Sequence, residues 1–145
     1  MSRESGPSSV SLLICESVLN ERSGGVSAIR IMDVLHIGLA SPVARFFVLT
    51  YLHSRTVDFT QHFANVHMLG MRNGQWSIVA EAPTHFFVYS YGPPESPISG
   101  PGAFMLTTEF NLDLTTFGEL GSFWVQLSVD GVLEERTPIT LLRKR

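Results

Sequence analysis

The feature that most constrains this chain is a two-residue alternation of apolar and polar side chains, repeated in short segments. Between residues 104 and 114 the apolar side chains take every second position, and residues 122–130 repeat the pattern. Successive side chains of a β-strand point to opposite faces, whereas at helical spacing these apolar residues would scatter around the axis. The pattern predicts strands with one buried face.

Seven further segments are predicted to be strands; they are residues 10–19, 26–33, 45–52, 63–71, 76–82, 84–91 and 132–142. Asn73-Gly74 and Asp130-Gly131 lie between neighbouring strands, and such dipeptides favour two-residue hairpin turns. Residues 33–42 leave room for a short helix, which Gly38 and Pro42 limit. Eight or nine short strands with turns between them predict an all-β, antiparallel two-sheet sandwich.

The chain length of 145 residues favours one domain. Residues 1–9 are polar with Gly and Pro and are expected to form a flexible N-terminal segment, which leaves 10–145 as a single sandwich domain. Residues 92–102 hold four of the eight prolines and predict an exposed loop rather than a linker between domains.

Charge and cysteine content bound the partners and the compartment. The formal net charge is −3, and the ten basic residues are scattered except for Arg143-Lys144-Arg145, which argues against nucleic acid as a partner. Cys15 is the only cysteine, so no internal disulfide can form, and a reducing, cytoplasmic location is expected. No apolar stretch approaches the length of a membrane span, so no membrane partner is expected.

The two ends of the chain have recognisable segments. Cys15-Glu16 and the stretch from Val26 to Leu35 are similar to the opening of a family of small uncharacterised bacterial all-β proteins, although Ala28 and Arg30 depart from its pattern. Residues 121–131, GSFWVQLSVDG, resemble its closing strand, an ending that also recurs in immunoglobulin-like sandwiches. The resemblance covers about a third of the chain and implies an immunoglobulin-like sandwich without an assigned reaction.

No catalytic, cofactor-binding or metal site emerges from the motifs. The five histidines form neither H-x-H nor H-x-x-x-H, so surface or capping positions are expected for them. The chain has no G-x-S-x-G and no phosphate-binding glycine pattern. Cys15 is expected to be a small buried hydrophobe rather than a nucleophile. The sequence therefore predicts that the protein is not an enzyme.

Two strands are apolar on both faces, although a sandwich strand buries only one face in the core. The second face must be covered by the chain's own loops, with 33–42 and 92–102 as candidates, or by another molecule. Trp124 is expected to point outward on a neighbouring strand, and interface centres favour Trp and Tyr. The predicted partner-binding residues are Phe46, Val48, Phe87, Tyr89 and Trp124.

The leading hypothesis is therefore a non-catalytic interaction or assembly module that forms a homodimer or docks a protein partner. The alternative is a small-ligand or carbohydrate binder that uses loop 92–102 and turn 20–25 at one end of the sandwich. A metal-dependent enzyme is the third and weakest hypothesis.

Overall fold

The computed structural model describes residue 7 and residues 9–22, 26–54, 60–89 and 102–144, and contains ten strands within them. The strands are β1 (Ser9–Asn20), β2 (Val26–Ile31), β3 (Val34–Ile37), β4 (Val43–His53), β5 (His62–Arg72), β6 (Gln75–Glu81), β7 (His85–Phe87), β8 (Ala103–Asp113), β9 (Ser122–Val129) and β10 (Val132–Arg143). No helix occurs in these ranges, and so none that is long and apolar enough to cross a membrane.

The strands form two sheets. The first has the order β2-β1-β4-β8 and the second the order β3-β10-β9-β5-β6, with β7 paired to β5. All neighbours are antiparallel except β3 and β10. Immunoglobulin sandwiches place strands A, B and E in one sheet and G, F, C and C′ in the other. The rows β1-β4-β8 and β10-β9-β5-β6 have this connectivity, so the predicted fold class is confirmed, with ten described strands rather than eight or nine.

The two predicted hairpin turns are present. Asn73 and Gly74 have φ angles of 53° and 78°, and Asp130 and Gly131 have 51° and 79°. A positive φ at both central residues is the geometry that twists a two-residue turn to match its strands. These turns fix the registers of β5 with β6 and of β9 with β10.

The segment 33–42 is where the sequence interpretation is wrong, because residues 34–37 form β3 rather than a helix. β3 pairs in parallel with β10, from Thr140 opposite Val34 to Arg143 opposite Ile37. The Arg143 guanidinium then donates hydrogen bonds to the carbonyls of Gly38 and Ser41. This strand depends on a partner about 105 residues away, which no local pattern reveals.

The core lies between the sheets and is built from the inward residues of each strand. In β8 and β9 these are the alternate apolar residues that the sequence predicted. Gly70 of β5 lets β9 approach closely, since a Cβ there would lie 2.8 Å from the Phe123 ring. β8 ends at Asp113, whose carboxylate accepts hydrogen bonds from the Thr115 hydroxyl and amide; these bonds lower the pKa of Asp113.

Candidate functional site

Four of the five predicted partner-binding residues lie in the core. Phe46 and Val48 are fully buried, and Phe46 stacks on Phe110 with ring centroids 5.2 Å apart. Phe87 and Tyr89 are also buried and meet edge to face at 5.3 Å. The prediction that these four side chains form an outer face is therefore wrong.

The error for Phe46 and Val48 lies in which face of β4 points toward the core. Alternation shows which side chains share a face, but β4 is apolar on both faces, so its sequence does not say which face is inside. The pairing of Phe46 with Phe110 turns that face inward. Phe47, Leu49 and Tyr51 then lie on the outer face of the first sheet, where Phe47 and Tyr51 are half-buried and Leu49 is buried. The excess of apolar residues on β4 is real, and its outward side is the opposite of the one predicted.

Trp124 does point out of the sandwich, as its alternation with the buried Phe123 and Val125 requires. It is partly exposed, and the Arg136 guanidinium lies 5.5 Å from its ring centroid. A cation over an indole face is favourable by about 0.5–1 kcal/mol at an exposed site. Trp124 is paired with Leu69 of β5, so its apolar surface continues into the next strand.

The apolar surface extends across the second sheet to its edge. Leu69 is opposite Ile78 of β6, and Met71 is opposite Trp76. Met71, Trp76 and Ile78 are 46%, 51% and 47% exposed, so each keeps about half of its surface in solvent. We call this surface the tryptophan face; it consists of Leu69, Met71, Trp76, Ile78 and Trp124.

β6 borders the tryptophan face and is an edge strand, since among the described residues it pairs with β5 alone. Edge strands are commonly protected by Lys, Pro or bulges. β6 has neither Lys, Arg nor Pro, and its one charged residue is Glu81 at its end. A register shift at Val79 interrupts its ladder, which leaves residues 75–78 as a regular stretch that offers backbone groups to another strand.

His62 is the residue that sequence reasoning missed, because it is buried rather than at the surface. Its Nδ1 lies 2.7 Å from Asp130 Oδ2, and the other Asp130 oxygen accepts a hydrogen bond from the Phe63 amide. The Asp130-Gly131 turn was visible in the sequence, but its contact with β5 was not. Among the described residues, no group of three His, Cys, Asp or Glu side chains is placed to hold a metal ion.

Cys15 is buried, as predicted, and burial raises the pKa of its thiol. A thiol with a raised pKa holds its proton at neutral pH and is a poor nucleophile. The geometry thus gives Cys15 a packing role opposite Phe47 of β4.

The alternative ligand site required turn 20–25 and loop 92–102 at one end of the sandwich. Asn20 ends β1 at one end of the first sheet, whereas Ala103 starts β8 opposite His53, which is itself opposite Ser9 at the other end. The described flanks of the two segments therefore lie at opposite ends of the first sheet, and the ligand site itself stays a prediction. Residues 23–25 and 90–101 lie outside the described residues.

Comparison with known proteins gives a fold likeness only. No family model and no curated protein matches the chain. A DNA-bound structure of the alkylpurine DNA glycosylase AlkC from Pseudomonas fluorescens is similar at 14% identity with a TM-score of 0.47, over 90% of this chain and 30% of that one. A CARDB domain from Pyrococcus furiosus, solved with di-metal ions, is similar at 13% identity with a TM-score of 0.40, over 93% and 96%.

This chain thus spans less than a third of the glycosylase, and neither likeness carries an argument about its binding or chemistry. The prediction that the protein is not an enzyme is corrected, because a chain of an enzyme is among the similar structures and no finding speaks for or against catalysis. The exclusion of catalysis is withdrawn, and no reaction is assigned.

Proposed function

We propose that this chain is an assembly module that binds a second copy of itself through the β6 edge and the tryptophan face. The observation that carries the proposal is the exposure of Trp76 and Ile78 on an edge strand without a protecting cation or proline. Trp124 is the one residue of the predicted contact surface that belongs to the tryptophan face. The other four predicted residues are buried in the core.

Apolar burial favours such contact but does not suffice for it. Full burial of a large apolar side chain contributes about 1.5–3 kcal/mol, and these side chains have about half of that still to gain. Association costs roughly 4–15 kcal/mol in lost freedom. New backbone hydrogen bonds along β6 are therefore needed as well, which is why the proposal joins the face to the edge.

A second copy fits this edge because residues 75–78 are self-complementary. An antiparallel pairing centred on Ser77 would place Trp76 of each copy opposite Ile78 of the other, on the same outer face. Aromatic and β-branched residues form favourable cross-strand pairs, and no charged residue lies within this stretch to oppose a like charge. The pairing has twofold symmetry, so it closes as a dimer rather than growing into a fibre.

Sedimentation velocity between about 1 and 300 µM tests the proposal on the wild type, Ile78→Lys and the control Thr107→Lys. Thr107 is exposed on the outer face of the first sheet, so its substitution adds the same charge away from β6. We expect a wild-type dimer with a dissociation constant on the order of 1–100 µM, given the small surplus over association cost.

Ile78→Lys should remain monomeric with an unchanged melting temperature, and Thr107→Lys should dimerise like the wild type. A wild-type protein that stays monomeric throughout, or a dimer that Ile78→Lys does not weaken, overturns the proposal. A heterologous strand captured by β6 in the absence of self-association would do the same, since it would identify a different occupant.

Two further proposals come from the amino-acid sequence. Membership of the family of small bacterial all-β proteins rests on the two end segments, and a cytoplasmic location rests on the lone Cys15. Both agree with an assembly module that needs no disulfide.

A further inference from the structure

A cleft opens where β1 separates from β4. The β1–β4 ladder ends at Cys15 opposite Phe47, but β4 extends back to Val43 along β8. Beyond that point β1 pairs only with β2, and the chain then crosses to β3 in the second sheet. The space between these strands is a cleft of about 410 Å³. Small-molecule sites typically measure roughly 300–1,000 Å³.

The cleft combines an apolar wall with a charged rim. Apolar side chains come from the β2–β3 crossing, from β3 itself and from the start of β4; they are Met32, Val34, Leu35, Ile37, Val43 and Ala44. Arg30, Arg45 and Lys144 contribute cations, and Glu16 contributes the one carboxylate. An apolar wall with a few convergent polar groups is the usual character of a ligand site.

The charge of this lining is opposite to that of the whole chain. The lining has three cations and one carboxylate, and the adjacent Glu109 carboxylate pairs with Arg45, which leaves +1 here, whereas the chain has 13 acidic and ten basic residues. Arg30 is 3.0 Å from Glu16, and the Nε of Arg45 is 2.8 Å from Glu109, so their remaining guanidinium donors stay available. The Lys144 side chain has neither an ion pair nor a hydrogen bond within the described part of the chain, while its amide binds the Ile37 carbonyl.

The backbone at Arg30 adds a second indication. Its φ is 56°, in the left-handed region that residues other than Gly, Asn and Asp seldom adopt. Backbone strain of this kind clusters at ligand-binding and catalytic positions. The two residues flanking Arg30 in β2 pair with β1, so the surrounding ladder holds the strained residue in place beside the cleft.

We propose that the cleft binds a small organic phosphate monoester, with the phosphate at Arg30 and Lys144 and its apolar group against Met32 and Leu35. A phosphate monoester carries about −1.5 to −2 at neutral pH, which is opposite in sign to the net charge of the lining and its paired carboxylates. Guanidinium groups bind phosphate oxygens in pairs, and lysine adds a point charge. This inference is independent of the proposed self-association.

Calorimetric titration with hexyl phosphate tests the proposal, with amide chemical shifts used to locate the site. We expect a submillimolar dissociation constant and shifts confined to residues 16, 30–38, 43–45 and 144, which line the cleft. Arg30→Gln and Lys144→Gln should each weaken binding at least fivefold, and the double variant should abolish it. Arg22→Gln removes the same charge at an exposed position outside the cleft lining and should bind like the wild type.

Three further probes separate the two parts of the ligand. Inorganic phosphate should bind at least tenfold more weakly than hexyl phosphate, because it lacks the apolar group, and hexanoate should bind more weakly because it carries less charge. Hexanol, which is uncharged, should show no saturable binding. Absence of saturable hexyl phosphate binding, shifts elsewhere, equal effects of Arg22→Gln and Arg30→Gln, or equal affinity of hexanol or inorganic phosphate each overturn the proposal. Matching melting temperatures show that the variants are folded.

Discussion

At the scale of single residues, the burial of Cys15 makes the free energy of unfolding depend on pH. Its side chain is fully enclosed on the outer side of β1, between Phe47 of β4 and Ile31 of β2. Burial raises the pKa of the thiol above that of the unfolded chain, so the folded state holds the proton more tightly. Stability linked to Cys15 is therefore complete below the unfolded pKa of about 8.5 and is lost as pH rises through the folded pKa.

We expect the difference in unfolding free energy between wild type and Cys15→Ala to shrink from pH 7 to pH 10. Urea denaturation at each pH measures it, and the difference cancels the groups that both proteins share. Native Cys15 should also react with a thiol reagent more slowly than the unfolded chain at pH 8, by at least a hundredfold. A constant difference across this pH range, or rapid labelling of the native protein, contradicts the assignment.

Which residues could be read from the sequence depends on whether their environment is local. The outward position of Trp124 follows from its neighbours on β9, which are unambiguously buried. The prediction for Phe46 was wrong because β4 is apolar on both faces. Only the pairing with β8 determines which face of β4 points inward. The His62–Asp130 contact joins residues 68 apart, so neither the pattern around His62 nor the turn at Asp130 contains it.

At the scale of elements, strands with one apolar face and a hairpin neighbour were predictable. β5, β6, β9 and β10 were located within about two residues, because Asn-Gly and Asp-Gly fix their turns as well as their pairing. β3 and β7 were not. β3 is held by a distant parallel partner. β7 lies within the strand predicted at 84–91, but among the described residues of that segment it covers 85–87 alone, so its length was not predictable. Elements that are stabilised chiefly by tertiary contacts are only weakly indicated by the local sequence.

The close packing of β5 on β9 gives a prediction for Gly70→Ala. The added Cβ would lie 2.8 Å from the Phe123 ring and 3.1 Å from Val79, so the ring must shift within the core. Overpacking of this kind costs about 1–3 kcal/mol. Gly38→Ala is the matched control, since its Cβ meets only Ser41 at 3.7 Å. Guanidinium denaturation should show the loss for Gly70→Ala alone; equal stability of the two variants contradicts the close approach.

At the scale of the whole molecule, the two proposed surfaces lie at opposite edges of the second sheet. β6 forms one edge and β3, which lines the cleft, forms the other, with β10, β9 and β5 between them. The sequence predicted the sandwich but neither edge of the second sheet, because strand order depends on pairing between residues that are far apart in the sequence. The basic cleft was hidden for the same reason: Arg30, Arg45 and Lys144 are scattered in sequence and converge only where β1 leaves β4.

This separation predicts that self-association and ligand binding are thermodynamically independent. Sites more than about 7–10 Å apart with no shared partners usually have additive energies, and three strands intervene here. The monomeric variant Ile78→Lys should therefore bind hexyl phosphate within twofold of the wild type. The Arg30→Gln/Lys144→Gln double variant should dimerise within twofold of the wild type, and saturating hexyl phosphate should leave the sedimentation profile unchanged. A shift of fivefold or more in either constant would show that the sheet couples its two edges, and the reciprocal shift must then appear in the other constant because linkage is symmetric.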